Sequence, residues 1–295
     1  MLPPILDTIV QRLSHVPRSS TRYTWIRAPV REEDWKAIRE AGNESPFDPL
    51  RLRASMLEKN LFIFVKELRY GPDMSSGLKS PDMSSGLKRP SLRDILARVV
   101  VITEQGHKAN VPWDLYKNIF TAFGKCTGHP FWKVILFASP HPRLFPPVGQ
   151  EPKEQHVNGG YAFPNNPQSI VLYREEESYR VLLHELLHAC GSDDMNQPIW
   201  SLEVKTETWA ELFLIGVLAR GSIKKGQELW AIQSQWIADQ GNQLIKEHNV
   251  VGPNQYAYRY TVGRAEVLKQ LGIPLPPPSG RRLTSLRFTA PELLH

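Results

Sequence analysis

The sequence predicts an α+β fold in which a small mixed sheet is followed by a mostly helical C-terminal lobe. Apolar, β-prone runs at 61–65, 132–137, 157–163 and 169–173 read as strands, whereas between 178 and 271 the apolar residues recur at helical spacing. The 25 prolines among 295 residues favour long loops and rigid connections over a compact helical bundle.

Along the chain, a helix is expected at 32–41 (EEDWKAIREA) and a strand at 61–65 (LFIFV). A tandem duplication follows, PDMSSGLKS at 72–80 and PDMSSGLKR at 81–89. It is rich in Pro, Ser and Gly and too short for a solenoid unit, so it reads as a flexible surface loop without chemistry. A helix near 91–99, a helix at 113–123 and a strand at 132–137 come next. VNGGYAF and SIVLY are short β-prone runs separated by the turn signal PNNPQ, and are expected to form a hairpin or two neighbouring strands. The acidic stretch 175–177 and Ser178 open a helix to about residue 190, where Gly191 supplies the left-handed residue of a helix stop. Further helices are expected over about 201–220, 226–248 and 254–271. The resulting organisation is an irregular N-terminal region over 1–90, a main domain over 91–273, and an extended tail over 274–295 that lacks a core of its own.

Composition narrows the class. Apolar residues make up 41% and charged residues 22%, ordinary for a soluble globular chain long enough to bury a sizeable core. The net charge of +6 is spread over scattered basic residues, not clustered with aromatics, so nucleic-acid binding is not expected. Cys126 and Cys190 cannot build a disulfide framework, and the N-terminus MLPPILDTIVQRL does not read as a signal peptide. No apolar run is long enough to span a bilayer. The expectation is a soluble, intracellular protein.

The chemistry is concentrated in HELLH. Residues four apart lie on nearly the same helix face, so His184 and His188 can turn two imidazoles toward one metal ion. Glu185 leans toward the same ion from the side, where it can take a proton from a metal-held water. Leu182, Leu183, Leu186, Leu187 and Cys190 make the rest of this helix apolar. Two histidines and a glutamate buried in it are costly without a partner, and a metal is the simplest one. Cys190 is expected as a small buried hydrophobe at the helix end.

A tetrahedral catalytic site needs a third protein donor, and two candidates stand downstream. Asp194 completes H-E-L-L-H-A-C-G-S-D-D, the extended pattern of metzincin-like peptidases in which aspartate replaces a third histidine. Those families also need a methionine well downstream, and the last one here is Met195. The other candidate is Glu207, with eighteen residues between it and His188, in the helical run Glu207-Thr-Trp-Ala-Glu211-Leu-Phe. In this the chain resembles the gluzincins, the thermolysin and aminopeptidase N group, in which a Glu on the following helix is the third ligand. The resemblance implies a zincin-like metallopeptidase fold, an edge strand over the active-site helix, and Zn²⁺ held by His184, His188 and Glu207. It also implies that Glu211 orients the first histidine. Thr206 stands where the thermolysin branch has Asn, and GGYAF is only an echo of the aminopeptidase exopeptidase motif.

Gluzincins add a Tyr or His that stabilises the oxyanion. Tyr260 is the first choice for that role, with Tyr256 and His248 behind it. The expected function is zinc-dependent hydrolysis of a peptide or protein substrate with Glu185 as general base. The alternative is a structural or assembly protein that keeps a zincin scaffold without catalysis.

Overall fold

The computed structural model describes residues 2–43, 45, 47–71, 94–126 and 128–294. The duplicated segment at 72–89 lies outside the described residues. Six strands form one mixed sheet among those described: β1 (Tyr23–Ala28), β2 (Leu61–Tyr70), β3 (Ile95–Glu104), β4 (Trp132–Phe137), β5 (Gly160–Tyr161) and β6 (Ile170–Leu172), in the order β1-β2-β3-β4-β6-β5. β1, β2 and β3 pair antiparallel, β3, β4 and β6 pair parallel, and β5 returns antiparallel on β6 as the edge strand. The expected VNGGYAF–SIVLY pairing is thus present.

Helices flank this sheet. They are α1 (Pro4–Arg12), α2 (Val16–Ser20), α3 (Glu32–Ala41), α4 (Leu52–Leu57), α5 (Trp113–Phe123), α6 (Glu154–Val157), α7 (Ser178–Ala189), α8 (Ile199–Ala219), α9 (Ile223–His248), α10 (Tyr256–Tyr260) and α11 (Gly263–Gln270). No described helix is long and apolar enough to cross a membrane.

Strand period decides what packs where. Val99 and Val101 of β3, with Val134 and Leu136 of β4, face the larger core shared with α5, α7 and α8. Val100, Ile102, Ile135 and Phe137 point the other way, into a smaller core with α3 and α4. The segment near 91–99 that the sequence suggested as a helix therefore contributes to β3. From Ile95 to Thr103 this strand is buried on both faces, so its apolar run is continuous where a half-buried strand would alternate. The Val-Val-Val-Ile run suits the pleated environment better than a helix.

The boundary expected near residue 90 falls between β2 and β3, which are paired strands of one sheet. The N-terminal region also reaches across to the C-terminal helices. A Cβ on Gly216 of α8 would stand 2.7 Å from Ile9 Cγ2 and 2.9 Å from Leu13 Cδ1, so the missing side chain lets α1 lie close against α8. The helix expected over 254–271 is split into α10 and α11 at Thr261, where φ is −133° and ψ −91°.

The tail, which closes on a 3-10 turn at Pro291–Leu294, buries Leu283, Leu286, Phe288, Ala290 and Leu293 and finds hydrogen-bond partners on α9. Gln233, Trp236, Gln240 and Gln243 lie along one stripe of that helix. Gln243 accepts from Leu283 N at 2.8 Å and donates to Leu283 O at 3.2 Å. Trp236 and Gln240 donate to Arg287 O at 3.0 and 2.6 Å. Gln233 donates to Phe288 O and accepts from Ala290 N, both at 2.9 Å. These side chains act as the neighbouring strand that the tail backbone lacks.

Glu177, at the start of α7, closes this arrangement. Its carboxylate accepts from Phe288 N at 3.0 Å and Thr289 N at 2.7 Å, and lies 3.3 Å from Arg143 Nη1. Both charged side chains of that pair are fully buried. Glu177→Gln leaves Arg143 uncompensated and is expected to destabilise the fold by about 3–5 kcal/mol. Urea unfolding followed by circular dichroism measures it; a loss below about 1 kcal/mol would show that the pair does not carry the tail's attachment.

Candidate metal centre

All twelve residues of α7 are buried. Its C-terminal end turns at Gly191, where φ is +77° and Ser192 N closes on Leu187 O at 3.3 Å. This reversal carries Asp193 back to the helix it has just left, with Asp193 Oδ2 2.7 Å from His188 Nδ1. Pro198 precedes α8, which packs against α7 and presents Glu203, Glu207 and Glu211 at successive turns.

The two imidazoles converge. His184 Nε2 and His188 Nε2 lie 2.9 Å apart. Glu203 Oε2 lies 3.3 Å from the first and 3.7 Å from the second. His184, His188 and Glu203 are thus a group of donors able to hold one metal ion. Each outer nitrogen faces a carboxylate: Nδ1 of His188 meets Asp193, and Nδ1 of His184 lies 3.1 Å from Glu207 Oε1. Carboxylates in that position fix the ring and raise the basicity of the donor nitrogen.

Glu207, expected as the third donor, therefore lies on the far side of His184. There it also accepts from Arg180 Nη2 at 2.5 Å through its carboxylate. Glu211, expected to orient His184, is one turn farther on, 3.6 Å from Arg180 Nε and 3.0 Å from Arg264 Nη1. Glu203, one helical turn nearer the start of α8, stands beside the two Nε2 atoms, and Glu207 stands beside His184 Nδ1. Glu203 lies in the second turn of α8 and Glu207 in the third, and it is the second that stands level with the two Nε2 atoms. Asp194, the other candidate, is exposed and bonds Asn196 N at 3.1 Å and Gln197 Nε2 at 3.3 Å.

Electrostatics favour a cation at this point. Burial opposes a charged His184, yet Glu207 and Glu203 outweigh it and raise its pKa well above the usual value. Burial likewise raises Glu203, but His184 and His188 outweigh that and hold it well below the carboxylate range. For Glu207, burial is outweighed by Arg180 and His184, leaving its pKa at about 2. Among the described residues no Lys or Arg pairs with Glu185, Asp193 or Glu203. Glu203 Oε2 is buried without a hydrogen-bond partner, an arrangement that costs free energy unless a cation satisfies it. Two imidazoles and one carboxylate are a donor set that divalent transition metals accept.

Glu185 is buried beside the edge strand. A Cβ at Gly160 would stand 3.0 Å from Glu185 Oε1 and 2.7 Å from Val181 Cγ1, so only glycine lets β5 lie this close to α7. Burial raises the pKa of Glu185 to about 7, against the lowering effect of the two histidines. On the opposite side, the Tyr260 ring is 6.4 Å from the His184 ring. Burial, with the charge of Glu203, keeps the Tyr260 hydroxyl protonated. Tyr256 donates to Asn158 Oδ1 at 2.9 Å and lies 3.4 Å from Tyr260 Oη. Together these groups line a cleft of about 420 Å³. His248 is elsewhere, stacked on Phe145 with Nδ1 2.8 Å from Gln150 O. Cys190, expected to be buried, is exposed, and its thiol donates to Leu187 O at 3.2 Å.

Sequence reasoning missed Glu203, Asp193 and Arg180. The signal for Glu203 was present in the run of three glutamates at four-residue spacing, and Arg180 stands one turn before His184 on the same helix face. Comparison with protein-family models, curated proteins and solved structures finds no match to this chain.

Zinc titration against a chromophoric chelator discriminates the acids. Glu203→Ala is expected to abolish tight binding, and Asp193→Asn or Glu207→Gln to weaken it roughly 10- to 100-fold. Asp194→Ala is expected to bind like the unaltered chain. Equal affinity in Glu203→Ala would remove Glu203 from the donor set.

Proposed function

We propose that the chain is a zinc-dependent peptidase with a zincin-like fold, in which His184, His188 and Glu203 hold the metal. The observation that carries this reading is the convergence of two Nε2 atoms and Glu203 Oε2, with each imidazole backed by its own acid. Such a set leaves a fourth position open, the mark of a catalytic site over a structural one. Zinc, when bound, supplies a Lewis acid for a substrate carbonyl and lowers the pKa of water beside it to about 7.

The remaining work falls to the chain. Glu185, buried beside the two imidazoles in the cleft, is placed to take a proton from the attacking water and to return it to the leaving amine. Gly160 holds the outer edge of β5 along the cleft, where an extended peptide can pair as one more strand. That pairing keeps the scissile carbonyl still relative to Glu185. Tyr260, protonated and fixed by its position on α10, donates toward the carbonyl oxygen as negative charge develops there, with Tyr256 supporting it. The deep apolar helix beneath excludes bulk water from this reaction space.

Glu185→Gln is expected to retain zinc and lose hydrolysis by roughly 10²- to 10⁴-fold. The check is turnover of a fluorogenic peptide library by the zinc-loaded protein beside the metal content of each variant. Full zinc-dependent turnover in Glu185→Gln would overturn the assignment of the base. Tyr260→Phe is expected to lower kcat far more than it changes KM, and a change confined to KM would give Tyr260 a binding role instead.

A further inference from the structure

Three arginines line the cleft, and two of them are matched by acids. Arg143 lies 3.3 Å from Glu177, and Arg180 lies 2.5 Å from Glu207 and 3.6 Å from Glu211. Arg259 is different. It has no ion pair among the described residues, and its Nε is buried without a hydrogen-bond partner. Its guanidinium stands over the Tyr256 ring, 5.4 Å from the centroid.

That geometry has a chemical meaning. Stacking on an aromatic ring holds the guanidinium plane while leaving its N–H edge free to donate. A planar guanidinium with a free edge matches a carboxylate, which it can grip with two parallel hydrogen bonds. Arg259 stands three residues after Tyr256 and one before Tyr260 on α10, so these three cleft-lining side chains share one short helix. A cation that lines the same cleft as Glu185, with no acid paired to it among the described residues and its Nε covered, is satisfied by one that arrives with the substrate.

We propose that Arg259 is a specificity residue that anchors a carboxylate of the substrate, so that the cleft prefers peptides carrying an acid near the bond held over Glu185. The shared chemistry is the carboxylate, whether from a Glu or Asp side chain or from a free C-terminus. This inference rests on the peptidase reading for its cleavage consequence, but the anchoring itself is a binding property and is measured without turnover.

The experiment uses the zinc-loaded full chain carrying Glu185→Gln, with fluorescein-labelled peptides followed by anisotropy. One peptide contains an internal Glu and an amidated C-terminus, a second has Gln in its place and is amidated, and a third has Gln with a free C-terminus. The expected result is roughly ten- to hundredfold tighter binding of a carboxylate-bearing peptide than of the neutral one. The first and third peptides show which carboxylate is read. The preference should vanish in Arg259→Gln and be partly kept in Arg259→Lys, which retains the charge but not the fork. Equal binding of all three peptides to the Arg259 protein overturns the proposal, as does a preference that survives Arg259→Gln, or no binding at all. Hydrolysis of the same peptides by the protein with Glu185 intact is read separately. Carboxylate-dependent binding without cleavage sinks the peptidase reading and leaves the anchor; cleavage without charge preference does the reverse.

Discussion

Two imidazoles can aim their Nε2 atoms at one point only if their outer nitrogens are held, and for His184 that constraint runs through Arg180. Glu207 faces His184 Nδ1 with one oxygen and takes a hydrogen bond from Arg180 with the other. Arg180 also faces Glu211, which is shared with Arg264, and Arg264 reaches Gln240 and the carbonyl of Phe288. The line of charge therefore passes from His184 through α7, α8, α11 and α9 to the tail. Burying so many ions gives little net stability, because desolvation offsets their attraction. Its effect is geometric: each group has one arrangement in which its charge is answered, and the donors inherit that arrangement.

The sheet provides the second fixed reference. β5 is short and lies at the edge, yet it is held against α7 because Gly159 and Gly160 have no side chains. A Cβ at Gly159 would stand 2.1 Å from Arg143 Nη2, and one at Gly160 would run into Val181 and the Val171 carbonyl. The NGG run is thus a contact surface for the helix that carries HELLH. Arg143, pressed under this run, is the same arginine that answers Glu177, so strand, helix and tail meet at one buried guanidinium.

Much of this was legible in the sequence, and the failures have physical causes. HELLH and the helix stop at Gly191 are local patterns, set by 3.6-residue periodicity and by one left-handed residue, and both emerge where the spacing put them. The PNNPQ turn between two β-prone runs likewise gives the β5–β6 pair. The placement of Glu203, not Glu207, beside the two Nε2 atoms was not legible, because it depends on where α8 crosses α7, a tertiary quantity that no count along the chain contains. β3 was misread because burial on both faces removes the alternation that distinguishes a strand. The tail looked coreless because its apolar residues are irregularly spaced, yet Leu283, Leu286, Phe288, Ala290 and Leu293 are all buried against the helices while α9 glutamines take its backbone.

That last attachment has a consequence for the order in which the protein becomes competent. A nascent chain that has left the ribosome only as far as α8 already carries His184, His188, Glu203, Asp193 and Glu207. It still lacks Arg264, which answers Glu211, and the backbone amides of Phe288 and Thr289, which answer Glu177. Until those later segments dock, the carboxylates under the metal site compete for Arg180 and Arg143 alone, and the helix that holds the donors has no settled neighbour on that side. The partners that answer Glu177 and Glu211 are thus complete only about a hundred residues after the motif itself is made.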